Sequence, residues 1–311
     1  MYKIKFNKTI ENRNIKSFGL YAIGFIFFFC LIIMLPATVC ALENNIKLPK
    51  GIIFKNGSFI SEKDNMKMAF VSAGDFIMGS NNGNYNEKPE HKVYLDTYLI
   101  DSYEVSNAQF AKFVEKTGYN PQGPWKRGYK KGEENYPVRF VTWHDAATYA
   151  KWAGKRLPYE AEWEKAAKGK NDNIYPWGNT WYEKFAVKTE IFEPYDVKAF
   201  PFTISEYGCF GMAGGVWEWA GDWYDRFYYE EFAITKAVKN PTGPEDGAEP
   251  EKRFLDTGTA AGNERSTLRV IRGGGNWGNS AKDNTRAAKR MWGNPSYWFN
   301  DTGFRCAISF N

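Results

Sequence analysis

The chain has 311 residues, enough for one large domain or two small ones, and its 43% hydrophobic and 25% charged content is ordinary for a globular protein. Twelve Trp and 29 Gly, within an 18% aromatic composition, argue for tight turns packed around large flat side chains and against a long helical bundle. The formal charge of +5 is concentrated at the start, in Lys3, Lys5, Lys8, Arg13 and Lys16, so no nucleic-acid partner is implied for the rest.

Those basic residues precede an apolar stretch from Phe18 to Val39, the order of a secretory leader. Val39 and Ala41 are small enough for cleavage before Leu42. The alternative is an uncleaved anchor, because the run is close to the ~20 residues that span a bilayer. Residues 1–41 are therefore expected to be a signal peptide or a membrane anchor, and the remainder to be exported, periplasmic or extracellular, with membrane contact only through that segment. Cys30 and Cys40 belong to it. Cys209 and Cys306 remain, either as one disulfide or as two separate buried thiols.

Residues 42–67 are polar and without sustained period, and read as a linker or N-terminal strap; the domain is expected over 68–311. Ala69–Val71 and Phe76–Gly79 read as two short strands around a turn at Ala73–Asp75, and His91–Ile100 alternates like one strand or hairpin arm. Ser106 and Gln109 form a capping box before a helix with Phe110, Phe113 and Val114 inward, closed by Gly118. Thr142 and Asp145 repeat the pattern ahead of Ala146, Tyr149, Ala150 and Ala153. A third helix, from about Glu160 to Lys168, is acidic first and basic last, as its dipole favours. Beyond Gly169 the chain reads as aromatic loops with short strands, an exposed insertion near 240–266, and closing strands at Leu268–Arg272 and Gly303–Phe310.

The segment Gly154-Lys155-Arg156-Leu157-Pro158-Tyr159-Glu160-Ala161-Glu162-Trp163-Glu164 closely resembles the sulfatase-modifying-factor, or formylglycine-generating-enzyme, family. Other blocks agree in order: Phe76-Ile77-Met78-Gly79, Tyr103-Glu104-Val105-Ser106-Asn107, Trp143-His144-Asp145-Ala146, Tyr175-Pro176-Trp177-Gly178, Val216-Trp217-Glu218-Trp219, Arg269-Val270-Ile271-Arg272-Gly273-Gly274 and Gly303-Phe304-Arg305-Cys306. The resemblance implies an α+β, C-type-lectin-like fold with low regular secondary structure. Within it, Arg156, Glu162, Trp163 and Glu164 are expected to brace the third helix. Tyr159 stands where the family has a capping Thr, so a cap worth on the order of 1 kcal/mol is expected to be missing. Trp217 and Trp219, two apart, are expected to face one side of a strand.

The family's founding enzyme holds copper with two cysteines just after the Gly-Gly turn. Here that segment runs from Gly275 to Arg286 without a cysteine, and Asn, Ser or Lys cannot replace soft thiolates for copper(I). Copper and formylglycine generation are therefore not expected. Relatives that use three iron-bound histidines are excluded by counting, since only His91 and His144 are present, both in framework motifs. Calcium is a candidate partner: the resemblance places Gly214 and Val216 as carbonyl ligands and Glu218 as the carboxylate. Gly211 occupies the position of the fourth, side-chain ligand, and Gly215 that of a familiar Asn, so the set is weakened.

The segment after Gly274 lies at the substrate groove in this family. Its Asn276, Trp277, Asn279, Arg286, Arg290 and Trp298 are the candidate ligand-binding residues, with Trp292, Asn294, Tyr297 and Asn300 nearby. Rings interspersed with amides and guanidinium groups suit a polar ligand, a peptide or a protein substrate, although the arginines can equally serve as internal braces. Two functions follow as expectations. One is a noncanonical maturation or modifying factor; the other is a non-catalytic, lectin-like binding or scaffold module.

Overall fold

Asn56-Gly57 lies between two short apolar runs, and both residues take positive φ, 51° and 71°, as a type I′ hairpin turn requires. In the computed structural model, which describes residues 47–182, 195–199, 203–232, 237–244, 267–274 and 281–310, this turn joins β1 (Ile52–Lys55) to β2 (Ser58–Ser61). β3 (Met66–Val71) pairs antiparallel with β2. Part of the expected linker thus supplies the first two strands of a five-stranded sheet, which β3 joins to two later strands. Four residues per strand are too few to establish a period in the sequence.

The expected turn leads from β3 into β4 (Gly74–Met78). The expected single arm over 91–100 is two strands, β5 (His91–Leu95) and β6 (Tyr98–Asp101), which part at Asp96-Thr97. β5 pairs with β4 and with β8 (Val238–Lys239) in a three-stranded sheet, whereas β6 pairs with β3 and with β12 (Ala307–Ser309). A third sheet is ordered β10-β9-β7-β11, from β7 (Trp217–Trp223), β9 (Arg269–Arg272), β10 (Met291–Gly293) and β11 (Thr302–Gly303).

The first two helices form where their caps predict. In α1 (Asn107–Thr117) the Ser106 side chain accepts from the Gln109 N–H, the Gln109 side chain accepts from the Ser106 N–H, and Gly118 closes the helix at φ 65°. Thr142 and Asp145 do the same for α2 (Trp143–Trp152). α3 (Glu160–Lys168) is buried along its whole length, and a short α4 (Ala281–Asn284) lies further along the chain. Pro49–Asn311 clusters as one unit; Met1–Leu48 is the other and, except for Lys47 and Leu48, lies outside the described residues, as does the insertion beyond Pro244.

One core gathers Val71, Val93, Tyr98 and Ile100 with Ala161, Trp163, Ala166 and Ala167 of α3. A second holds Phe110, Phe113, Ala146, Tyr149 and Ala150 of α1 and α2 against Trp217, Trp219, Ile271 and Phe304, so the two tryptophans share one side of β7 as expected. Cys209 and Cys306 are buried free thiols in different cores, which decides between the two cysteine alternatives.

Candidate functional site

The acidic face of α3 is met by arginines that are distant in sequence. Arg290 grips Glu160 with Nε at 2.7 Å and Nη2 at 2.9 Å, and its Nη1 donates to the Asn86 carbonyl at 2.7 Å. Its guanidinium also stacks over the rings of Tyr229 and Tyr224. Arg272 spans Glu160 and Glu164, at 3.1 and 2.6 Å. Arg156 forms a two-pronged pair with Glu162 at 2.6 and 2.7 Å. The expected brace is therefore present. Planar, fully charged guanidinium groups suit it because each satisfies two carboxylate oxygens, and those of Arg272 and Arg290 do so out of contact with solvent.

The N-terminus of α3 also has its acceptor. Asp222 of β7 takes the Glu160 N–H at 2.7 Å, and Glu162 takes that of Tyr159 at 2.8 Å. Tyr159 lends its ring to Arg156, 4.4 Å from the centroid. The missing Thr is thus compensated from another strand, which corrects the expectation of an uncapped end.

The candidate calcium set is differently employed. Both oxygens of Glu218 accept from Arg305, at 2.7 and 2.8 Å, and Oε2 also accepts from the Trp163 indole at 3.0 Å. The Gly214 carbonyl accepts from the Tyr195 hydroxyl, Val216 is fully buried, and Gly211 has no side chain to offer. A buried carboxylate already holding a guanidinium fork, with one side-chain ligand missing, does not fit a calcium ion.

Instead the two glycines make room for a residue that the sequence left inside a framework block. A Cβ at Gly211 or Gly215 would lie 2.3 Å from the Glu104 carboxylate. Glu104 is 2% exposed, and its Oε2 has no hydrogen-bond partner among the described residues; the Arg305 Nη2 stands 3.9 Å away. Burial raises its pKa to about 7, with Arg305 opposing and Glu218 adding to the rise. It borders a small pocket lined by Tyr195, Val197, Thr203, Phe210 and Gly211. Only its place in Tyr103-Glu104-Val105-Ser106-Asn107 pointed to it, and the pattern says nothing of its charge.

Among the candidate ligand-binding residues, Asn276, Trp277 and Asn279 lie outside the described residues. Arg290 is 1% exposed; as the partner of Glu160 it cannot reach a ligand, which corrects that assignment. Arg286 is engaged as well, with Nη2 on Glu87 at 2.8 Å and Nε on Asp283 at 2.9 Å. Trp298 is accessible: it is 39% exposed, tilted against Phe140 and faced by the Arg127 guanidinium. The same short stretch exposes Met291, Trp292 and, at 62%, Tyr297. Trp292 stacks on Tyr224 at 4.7 Å, so it is presented on a rigid support.

Thiol chemistry has no support among the described residues. Burial lifts Cys209 to about 11, and burial with the neighbouring Asp101 charge raises Cys306 well above the ordinary thiol range, so neither offers a thiolate near neutrality. His91 is buried on β5 with Nδ1 on the Pro89 carbonyl, and burial lowers its pKa. His144 lies in the first turn of α2, against Trp143. No cluster of three His, Cys, Asp or Glu suited to a metal occurs among the described residues.

Residues 57–310 match the family model described as a sulfatase-modifying factor enzyme 1-like domain. The chain is 33% identical over 300 residues to the formylglycine-generating enzyme of Thermomonospora curvata, an alignment covering 77% of this chain and 92% of that protein. It is also 33% identical over 258 residues to the serine/threonine-protein kinase pkn1 of Chlamydia caviae, covering 78% of this chain but only 38% of the kinase. Among solved structures, PvdO from Pseudomonas aeruginosa superposes with a TM-score of 0.62 at 23% identity, over 84% of this chain and 98% of that one. Treponema denticola variable protein 1 gives 0.60 at 21%, over 83% and 98%. At those identities the two structures establish the fold alone.

Proposed function

Because this chain belongs to the sulfatase-modifying-factor family, we propose that it is an exported member that recognises a ligand and does not generate formylglycine. The segment at the family's copper position has no thiol, and both remaining cysteines are buried in the two cores. The observation that carries the reading is the contrast between the arginines and the rings. The arginines of the C-terminal region are used up inside the protein, while Tyr297 and Trp298 are turned outward from a supported loop. Exposed aromatic residues on a rigid frame supply contact area at small entropic cost, which favours binding a polar ligand or peptide with apolar faces.

The test has two arms. On arrays of peptides and glycans the purified chain is expected to retain binders whose affinity falls at least ~10-fold in the Tyr297→Ala, Trp298→Ala variant; binding unchanged by that variant would overturn the recognition surface. With copper and a cysteine-containing sulfatase peptide, no aldehyde is expected, and its appearance would overturn the exclusion. A second reading, a modifying factor, has Glu104 in its favour, since a carboxyl that titrates near 7 beside a pocket can exchange a proton at neutral pH.

A further inference from the structure

Phe140 holds a backbone conformation that bulky side chains avoid, with φ at 57° in the left-handed region. Such outliers persist only where their surroundings fix them. Here the Phe140 N–H donates to the Phe299 carbonyl at 3.1 Å. Two glycines lie against the residue: a Cβ at Gly123 would come 2.1 Å from the Phe140 carbonyl oxygen, and one at Gly128 2.9 Å from its ring. The strained residue thus sets its ring 5.6 Å from that of Trp298, in the exposed loop of the recognition surface.

A cation stands at each end of this pair of rings, and the two are differently employed. Arg139 lies over Phe140, 5.3 Å from the centroid, but its Nη1 is committed to the Asn300 carbonyl at 2.6 Å, and the charges of Glu133 and Asp301 act on it. Arg127 lies over Trp298, 5.6 Å from the centroid. It belongs to the 3-10 turn Trp125–Gly128, which Trp125 pins into the second core against Phe110. Arg127 itself is exposed and, unlike Arg286 and Arg290, has no carboxylate partner among the described residues. A guanidinium already supported by a ring loses less freedom on binding, and its fork of N–H groups matches a carboxylate with two bonds.

Donors and acceptors decide the class of ligand. A carboxylate only accepts, whereas the hydroxyls of a sugar also need acceptors. Two acceptors of this loop are engaged: the Asn294 Oδ1 takes the Ser296 N–H at 2.9 Å, and the Asn300 carbonyl takes Arg139. A guanidinium without a carboxylate and exposed rings remain, which suits an acidic peptide better than a glycan. We propose that the ligand is an acidic peptide whose carboxylate is gripped by Arg127 while a neighbouring apolar side chain rests on Tyr297 and Trp298. This rests on the recognition surface proposed above and adds Arg127 as the residue that sets its specificity.

The test presents the purified full chain with arrays of synthetic peptides that place Asp or Glu beside Phe or Leu, with matched arrays carrying Asn, Gln or Lys in place of the acid, and with uronic-acid oligosaccharides. Acidic peptides are expected to bind at least ~10-fold more tightly than their amide counterparts. Arg127→Gln is expected to erase that preference while leaving the weak binding of the amide peptides, and Arg127→Glu to shift it toward the Lys peptides; an unchanged melting temperature confirms that both variants are folded. A preference for acidic peptides that survives both substitutions would overturn the role of Arg127. Retention of the oligosaccharides in place of the peptides would overturn the peptide assignment. Binding that falls in the Tyr297→Ala, Trp298→Ala variant but takes no account of peptide charge overturns this inference alone, whereas binding indifferent to that variant, or no binding to any array, overturns the recognition surface with it.

Discussion

Arg290 and Glu104 show how differently two buried charges can be treated in one protein. Arg290 has its carboxylate and its carbonyl, so its replacement by Met strands part of the Glu160 charge. A loss of about 3–5 kcal/mol in urea unfolding is expected for Arg290→Met, against less than about 0.5 kcal/mol for Trp298→Ala. Equal effects would show that Arg290 is not a brace. Glu104 is protonated more readily when folded, its pKa rising from 4.5 to about 7 through burial. Its contribution is most favourable below about pH 4.5 and declines as the pH rises to about 7, since over that window the unfolded chain ionises while the folded carboxyl does not. Glu104→Gln removes this slope and is expected to gain stability above pH 7, on the order of a few kcal/mol; parallel pH profiles for the two proteins would refute it. The sequence showed Glu104 inside a family block and Arg290 only as a candidate ligand-binding residue. It could not pair Arg290 with Glu160, because the two are 130 positions apart and nothing local to either marks the other.

At the scale of the elements, what is local was legible and what is long-range was not. The capping boxes of α1 and α2 announce those helices within four residues, whereas the short α4 has no such signal, and Thr142→Ala is expected to cost about 1 kcal/mol by freeing the Asp145 N–H, measured as a lowered denaturation midpoint. No change would mean that Asp145, which also accepts from the Gln122 and Gly123 N–H groups, holds the turn alone. The break between β5 and β6 was hidden, since alternation runs through both strands and their assignment to different sheets depends on partners far along the chain. Tyr159 teaches the same lesson: the lost cap is visible in the sequence, but its replacement by Asp222 depends on β7 lying alongside. The exposed rings of the candidate site were legible as a composition, and only the fold separates Trp298, which is accessible, from Arg290, which is not.

For the whole molecule, the paired state of Glu218 predicts indifference to calcium. The melting temperature is expected to be the same in millimolar calcium and in a chelator, and a calcium-dependent rise of more than a few degrees would show that the ion displaces Arg305. The same pair has a temporal consequence. Phe304, Arg305 and Cys306 are fully buried, and β12 closes the five-stranded sheet against β6, some two hundred residues after that strand has been made. Until these last residues arrive, Glu218 lacks its guanidinium and the second core lacks one wall. Contacts of such long sequence separation form slowly. A nascent chain of this protein therefore stays unlocked until synthesis is almost finished, because the second core cannot close before its last residues have been made.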